Sequence, residues 1–291
     1  MRTVRTVGEL RAALADTRCE RRSIALVPTM GAFHDGHVSL IRRAREECDL
    51  VVVSLFVNPA QFNEAADLDA YPRDEGRDAE LAEANGADLL FAPPLEEMYP
   101  PGFATTVSVA GLTEILEGAH RGRGHFDGVA TIVTKLLNIV MPDVAYFGQK
   151  DAQQAVVIER LVRDLDIPVK IRVCPTVRDS DGLALSSRNG RLSRDERARA
   201  TSLNRALQTI EDVIAAGERD PVAARARALT ELTSSGVEPE YIELVAPDTL
   251  TPVARIEDGV LAVVAARIGA TRLIDNRLIA NHRFTAESTD D

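Results

Sequence analysis

The chain has 291 residues, 45% of them hydrophobic, with a formal net charge of −11. That size and apolar content allow one large domain or two modest ones with true cores, and the acidic balance argues against a surface that coats nucleic acid. No apolar run reaches the roughly 20 residues that cross a bilayer, the N-terminus lacks an apolar signal region, and the scattered cysteines Cys19, Cys48 and Cys174 suit a reducing compartment without structural zinc. A cytoplasmic protein with no membrane and no nucleic-acid partner is expected.

In chain order, residues 1–22 read as a polar amphipathic helix feeding the first strand. From Ile24 a short apolar run stops at Pro28, and a glycine-bearing turn follows that leads to His34 and His37. The helix after it shows a buried stripe in Leu40, Ile41, Ala44 and Cys48. The next run, Leu50 to Val57, is too uniformly apolar for a half-exposed strand, so 24–57 is a βαβ unit with its turn at the carboxyl end of a parallel strand. Asn58–Asn63 is a second carboxyl-end loop, and Asp67–Arg73 is polar and loop-like. Asp74–Asn85 reads as a helix with Gly86 at C′, and Asp88–Phe91 as a short strand.

The Pro93-Pro94 and Pro100-Pro101 pairs bracket an irregular stretch, with a strand expected at Thr105–Val109. Gly118–Gly128 reads as a flexible basic loop opening a helix with Val129, Ile132, Val133, Leu136, Leu137 and Val140 on one face. Pro142 stops it, Val144–Phe147 is another buried strand, and Gly148-Gln149-Lys150-Asp151 is again a strand-to-helix turn. A helix to about Asp164 and a strand at Val169–Val173 follow. Beyond Thr176 come helices near 194–216 and 220–235, then strands at Tyr241–Val245, Val260–Arg267 and Thr271–Asn276. The tail Ala286–Asp291 reads as frayed. The expected fold class is α/β: a Rossmann-like parallel sheet with helices on both faces over 1–176, and a smaller α+β domain over 177–291.

Three stretches carry chemistry. His34 and His37 stand three apart where a helix begins, and a ring nitrogen can donate to a phosphate oxygen or to charge developing on a phosphoryl group. The plain alternatives are surface histidines or a metal pair, which here lacks further ligands nearby in sequence. In Gly148–Asp151 the glycine permits close backbone approach, the lysine meets phosphate and the aspartate meets ribose hydroxyls; the same residues also read as a capped helix start. Only three lysines, Lys135, Lys150 and Lys170, stand among 34 basic residues, which singles out Lys150. Ser186-Ser187-Arg188-Asn189 offers two hydroxyls and a guanidinium fork, or else is a solvated turn. Gln61, Gln153 and Gln154 suit a polar uncharged ligand, or are surface glutamines. Neither a Gly-x-Ser-x-Gly nor a P-loop pattern is present.

The run Pro28-Thr29-Met30-Gly31-Ala32-Phe33-His34-Asp35-Gly36-His37 resembles the signature of the pantoate–β-alanine ligase family, a variant of the His-x-Gly-His motif of nucleotidyltransferases and class I aminoacyl-tRNA synthetases. Phe56–Phe62, Tyr71-Pro72-Arg73, Gly124-His125-Phe126, Phe147–Asp151 with Gln153-Gln154, Gly182–Asn189, and Ala266-Arg267 through Thr271–Asn276 resemble that family in the same order over nearly the whole chain. The resemblance implies a homodimer formed through the N-terminal domains, with the C-terminal domain as a lid. It implies ATP-dependent condensation of (R)-pantoate with β-alanine, through pantoyl adenylate, to pantothenate, AMP and pyrophosphate. His37, His34 and Lys150 would be the catalytic residues, and ATP would be held by Met30 to His37, Gly148 to Asp151, Val177 and Leu185 to Arg188. Gln61, Gln154, Asn58 and Val133 would serve pantoate and β-alanine, with Phe56, Val129 and Ile132 in the apolar wall. Mg²⁺ would sit mainly on the ATP phosphates, with Asp78 as the one candidate protein ligand. Phe33 and Asp35 replace the family's common leucine and glutamate, Gln149 and Ala152 its glutamate and aromatic, and Arg77-Asp78 stands where two acids are expected. A nucleotidyltransferase and a non-catalytic nucleotide-binding module are the other readings. The two glutamines with the apolar helix disfavour the first, and intact His34, His37 and Lys150 the second.

Overall fold

A computed structural model describes residues 1–63, 68–257 and 259–279. Asp67, placed by sequence in a polar loop, and the expected frayed tail 286–291 lie outside the described residues. The chain divides into two compact units: Met1–Gln149 with Gln153–Pro175, and Lys150–Ala152 with the residues from Thr176 onward.

The first unit is built on a six-stranded parallel sheet ordered β1-β4-β3-β2-β5-β6, from Arg2–Val4, Ile24–Thr29, Leu50–Leu55, Leu89–Phe91, Val144–Gly148 and Lys170–Cys174. One face packs Leu26, Val52 and Phe147 against Leu10 and Leu14 of the helix Val7–Cys19 and Val133 and Leu137 of the helix Arg123–Val140. The other packs Val27, Val53, Leu90 and Tyr146 against Leu40, Ile41 and Ala44 of the helix Asp35–Glu47. Both faces are therefore covered, which explains why strands such as Leu50–Leu55 are apolar throughout.

From β2 the chain winds outward through β3 and β4, then crosses to the other side of β2 for β5 and β6. This reversal is a topological switch point, and the carboxyl ends of the two strands flanking it open the crevice in which such sheets bind ligands. Those ends are Thr29, which leads into the histidine turn, and Gly148.

Four local expectations need correction. Residues 1–22 hold a three-residue strand, β1, before the helix; it pairs in parallel with β4 and is too short to show a period. Thr105–Val109 forms no strand; the Val107 amide donates to Thr131 Oγ1 at 2.9 Å instead of to a neighbouring strand. The stretch 118–128 is mostly helical, Glu117–Arg121 and Arg123–Val140, with Gly122 at φ +77° between them. Gln153 holds the approach to it, donating to the carbonyls of Leu112 and Ile115 at 2.7 and 2.8 Å and accepting from the Glu117 amide at 2.9 Å. Gln153, considered above for a polar ligand, is thus a buried structural amide.

The second unit is an antiparallel sheet β7-β8-β9, Pro239–Val245, Val260–Ile268 and Thr271–Ile279. Its core joins Val264 and Leu273 of the sheet to Leu203, Leu207 and Ile210 of the helix Ser202–Ala215 and to Ala224, Ala228 and Leu232 of the helix Pro221–Ser234. The helix expected from 194 breaks at Thr201 into Arg194–Ala200 and Ser202–Ala215.

Candidate functional site

The turn after β2 is held open by its backbone. Gly31 has φ +88° and Ala32 +54°, a conformation that costs an L-residue unless its surroundings enforce it. The enforcing group is Asp78, buried in the first turns of the helix Glu75–Ala84. Its Oδ2 accepts from the Ala32 amide and its Oδ1 from the Phe33 amide, each at 2.8 Å. A Cβ on Gly31 would stand 2.9 Å from Asp78 Oδ2 and from Leu55 Cδ1, so the glycine is required both by φ and by this carboxylate. Resemblance to the family suggested Asp78 as a metal ligand; the structure places both its oxygens on the histidine turn. Among the described residues no group of three or more His, Cys, Asp or Glu side chains is arranged to hold a metal ion.

His34 and His37 cap the helix they introduce. His34 is the N-cap, and its Nδ1 accepts from the Gly36 amide at 3.2 Å; His37, three residues on, accepts from the His34 amide through Nδ1 at 3.4 Å. This is a capping box written with two imidazoles. An Nδ1 that accepts puts the neutral ring's proton on Nε2, which makes that nitrogen the donor of each ring. The rings lie 4.2 Å apart between centroids, and Phe33, fully buried, seats His37 at 5.4 Å. The Gly36 amide, at the helix N-terminus, is spent on the cap.

A second cluster adjoins the turn. Asn58, buried just after β3, donates from Nδ2 to Gln61 Oε1 at 3.0 Å and to the Gly128 carbonyl at 3.1 Å. Its Oδ1 accepts from the Ala60 amide and, at 2.7 Å, from the Tyr99 hydroxyl. Burial pushes the Tyr99 phenol up to about 12, so it stays protonated and remains the donor. Gln61, its orientation thereby set, donates from Nε2 to Met30 Sδ at 3.0 Å. The backbone carbonyl of Gln61 accepts from His125 Nδ1 at 2.7 Å. Met30, Asn58 and Gln61, chosen from sequence, are thus brought into one bonded set, beside a wall of Phe56, Val129, Ile132 and Val133 that shares a single buried cluster. Tyr99 belongs to this set and was missed; only its tertiary hydrogen bond marks it.

This set depends on a close approach. A Cβ at Gly128 would fall 2.3 Å from the Ala60 carbonyl oxygen and 2.7 Å from the Gln61 amide, both backbone atoms. Gly128→Ala is expected to cost about 3 kcal/mol through overpacking and to displace Gln61. Urea melts read the stability; an unchanged midpoint would show that helix and turn part freely.

The remaining candidates stand as follows. Gly148 ends β5 with room for a Cβ, nothing lying within 4 Å of it, so neither packing nor φ demands glycine there. Gln149, half-buried, closes the first unit's turn, and Gln154 stands half-buried in the first turn of the helix Ala152–Asp164. In the second unit, Lys150 has its ammonium 3.4 Å from Asp151 Oδ1. Val177 is joined to Leu185 by a backbone hydrogen bond of 3.0 Å, and Ser186 caps the turn Ser187–Arg191 by accepting from the Arg188 amide at 3.3 Å.

The profile of the pantoate-beta-alanine ligase family matches residues 2–278. The chain belongs to that family. A pantothenate synthetase of Cereibacter sphaeroides is 52% identical over 274 residues, 94% of this chain and 98% of the relative. One of Moorella thermoacetica is 51% identical over 277 residues, 95% and 98% of the two chains. Among solved structures, the pantothenate synthetase of Thermus thermophilus superposes with a TM-score of 0.91 at 48% identity, covering 97% of this chain and all of that one. The pantoate-beta-alanine ligase of Francisella tularensis, solved with β,γ ATP and β-alanine, superposes with a TM-score of 0.79 at 34% identity over 96% and 97%. This chain covers 97% or more of each of these relatives.

Proposed function

We propose that this chain condenses pantoate with β-alanine at the expense of ATP, as the family it belongs to does, with the histidine turn at the switch point as the reacting centre. The observation that carries the reading is the pairing of that turn with the Asn58–Gln61–Met30 set. One offers ring N–H donors suited to a phosphoryl group, and the other an oriented amide beside an apolar wall suited to a branched hydroxy acid.

In the first step a pantoate carboxylate oxygen attacks the α-phosphorus of ATP, the bond to the bridging oxygen breaks, and pyrophosphate leaves. In the second the neutral amine of β-alanine attacks the acyl carbon, AMP leaves, and the amine proton passes to solvent. Both nucleophiles come from the substrates, so the chain's task is positioning and charge stabilisation. His34 and His37 donate through Nε2 to oxygens that gain charge in the first step. Met30 to His37 and Gly148 to Gln149 line the nucleotide; in the second unit Lys150, Asp151, Val177 and Leu185 to Arg188 take the phosphates and sugar. Room for a Cβ at Gly148 supports a glycine kept for the ligand. Gln61 and Gln154 address the hydroxyls and carboxylate of pantoate, and Val133 with Phe56 its methyl groups; Asn58, assigned to the substrate from sequence, is buried with both its donors and its oxygen engaged by the protein, so its part is to hold Gln61. The donor set around Asp78 does not fit a protein-held cation, so Mg²⁺ belongs to the phosphates. A homodimer through the first unit and a cytoplasmic location complete the reading, on resemblance to the family. No helix among the described residues is long and apolar enough to cross a membrane.

Pantoate-dependent exchange of pyrophosphate into ATP tests the first step, and AMP release on adding β-alanine the second. No exchange would sink the ligase reading. Exchange without a β-alanine-dependent product would leave adenylation alone.

A further inference from the structure

The motif Thr271–Asn276 carries no role in the chemistry above, yet it ends in two consecutive buried polar residues, Asp275 and Asn276, on β9. Consecutive strand residues point to opposite faces. Asp275 shares its face with Leu273 and Arg277, and Asn276 lies on the other. Each is engaged with a different segment of the second unit.

Asp275 receives the guanidinium of Arg178 as a two-pronged pair, Nη1 to Oδ2 at 2.6 Å and Nη2 to Oδ1 at 2.9 Å. The same guanidinium donates to the Gly182 carbonyl at 3.2 Å and to the Asn276 carbonyl at 3.4 Å. Arg178 lies in a tight hairpin closed by Asp179 N to Leu183 O at 2.9 Å and Leu185 N to Val177 O at 3.0 Å. That hairpin delivers Leu185 to Arg188. Asp181 and Asp179 clamp Arg197 of the helix Arg194–Ala200 at 2.8 and 2.7 Å, which holds the hairpin from its other side. On the opposite face of β9, Asn276 Nδ2 donates to the backbone carbonyl of Lys150 at 2.8 Å. A bidentate Arg–carboxylate pair constrains angle as well as distance, and a buried amide on a strand has few rotamers, so both joints are stiff.

We infer that Asp275 and Asn276 are positioning residues: one rigid strand sets the Lys150 backbone with one side chain and the stem of the Leu185–Arg188 turn with the next, so the lysine and the serine hydroxyls hold one geometry for the phosphates. This rests on the nucleotide role proposed for those segments. On this reading Asn276 acts through Lys150, whose backbone carbonyl it holds. A residue that acts through another loses its effect when that other is gone, whereas a residue serving the fold alone keeps it.

The test is a double-mutant cycle read as the Kd for ATP by titration calorimetry on the full chain, with Asn276→Ala, Lys150→Ala and the pair. Asn276→Ala is expected to weaken ATP binding by about fivefold or more with Lys150 present, and by no more than about twofold in the Lys150→Ala background. A smaller loss beside Lys150, or a loss equal in both backgrounds, would overturn the inference. If Asn276→Ala gives no native circular dichroism, Asn276→Asp replaces it, keeping the shape while turning the donor into an acceptor, with the same expectations. Pyrophosphate exchange by the unmutated chain is measured first, so failure of the ligase reading shows itself separately from failure of this one.

Discussion

His37→Ala is expected to lower kcat for pantothenate formation by about 10²–10³-fold, the usual loss when one preorganised donor to a developing oxyanion is removed. The effect belongs in the adenylation step, so pantoate-dependent exchange falls by the same factor while the KM for β-alanine moves little. Little of the loss should come from unfolding. The bond His37 makes to the cap is long, 3.4 Å from the His34 amide, and a cap contributes typically about 1 kcal/mol. Steady-state kinetics and a thermal melt on one preparation separate the two. Unchanged kcat would remove His37 from the reacting centre. A collapse of the melt with a matching loss of activity would instead make it a structural cap.

Asp78→Ala should be the most damaging substitution in the first unit. It leaves the Ala32 and Phe33 amides, both at a buried turn, without acceptors, at about 1–3 kcal/mol each. It also releases Gly31 and Ala32 from positive φ, so the histidine pair loses its support. A fall in stability of several kcal/mol with near-complete loss of exchange is expected. Asp78→Asn is the sharper probe, since it preserves shape but turns one acceptor into a donor facing an amide. Exchange should fall by about tenfold or more, because a misplacement of the order of 1 Å in the site can cost about 10² in rate. Added Mg²⁺ should not restore it, whereas a lost metal ligand would be partly compensated by a higher metal concentration. Full rescue by Mg²⁺ would return Asp78 to the metal.

These two residues also mark where reading along the chain stops. The histidine turn was legible because everything that makes it is local: an apolar run, two glycines, a spacing of three and a striped helix. Its carboxylate support was not, because Asp78 comes from a separate helix, and resemblance to the family marked the acid only as a candidate metal ligand. Asn58 and Gln61 were found through their loop, but Tyr99, which holds Asn58, sits in a proline-bracketed stretch with no period. The expected strand at Thr105–Val109 failed for a related reason. A β-rich run forms a strand only if a partner edge is there to pair with it, and here Val107 finds Thr131 instead.

The sequence by itself determined the alternation of strands and helices, the parallel sheet buried on both faces and the smaller α+β part beyond residue 176. It also singled out the loops to which the chemistry is assigned above. Each of these is written in periods of a few residues and in the punctuation of glycine and proline, which neighbours in the chain can enforce. Only the tertiary structure decided how those loops are held: the ring tautomers, the Asp78 clamp under the turn, the Tyr99–Asn58–Gln61 relay, and the strand β9 bracing Lys150. The imidazole caps are local, but the Asp78, Tyr99–Asn58 and Asn276–Lys150 hydrogen bonds join partly or fully buried groups far apart in sequence. Such a bond depends on where folding brings its two ends, and no local pattern records that.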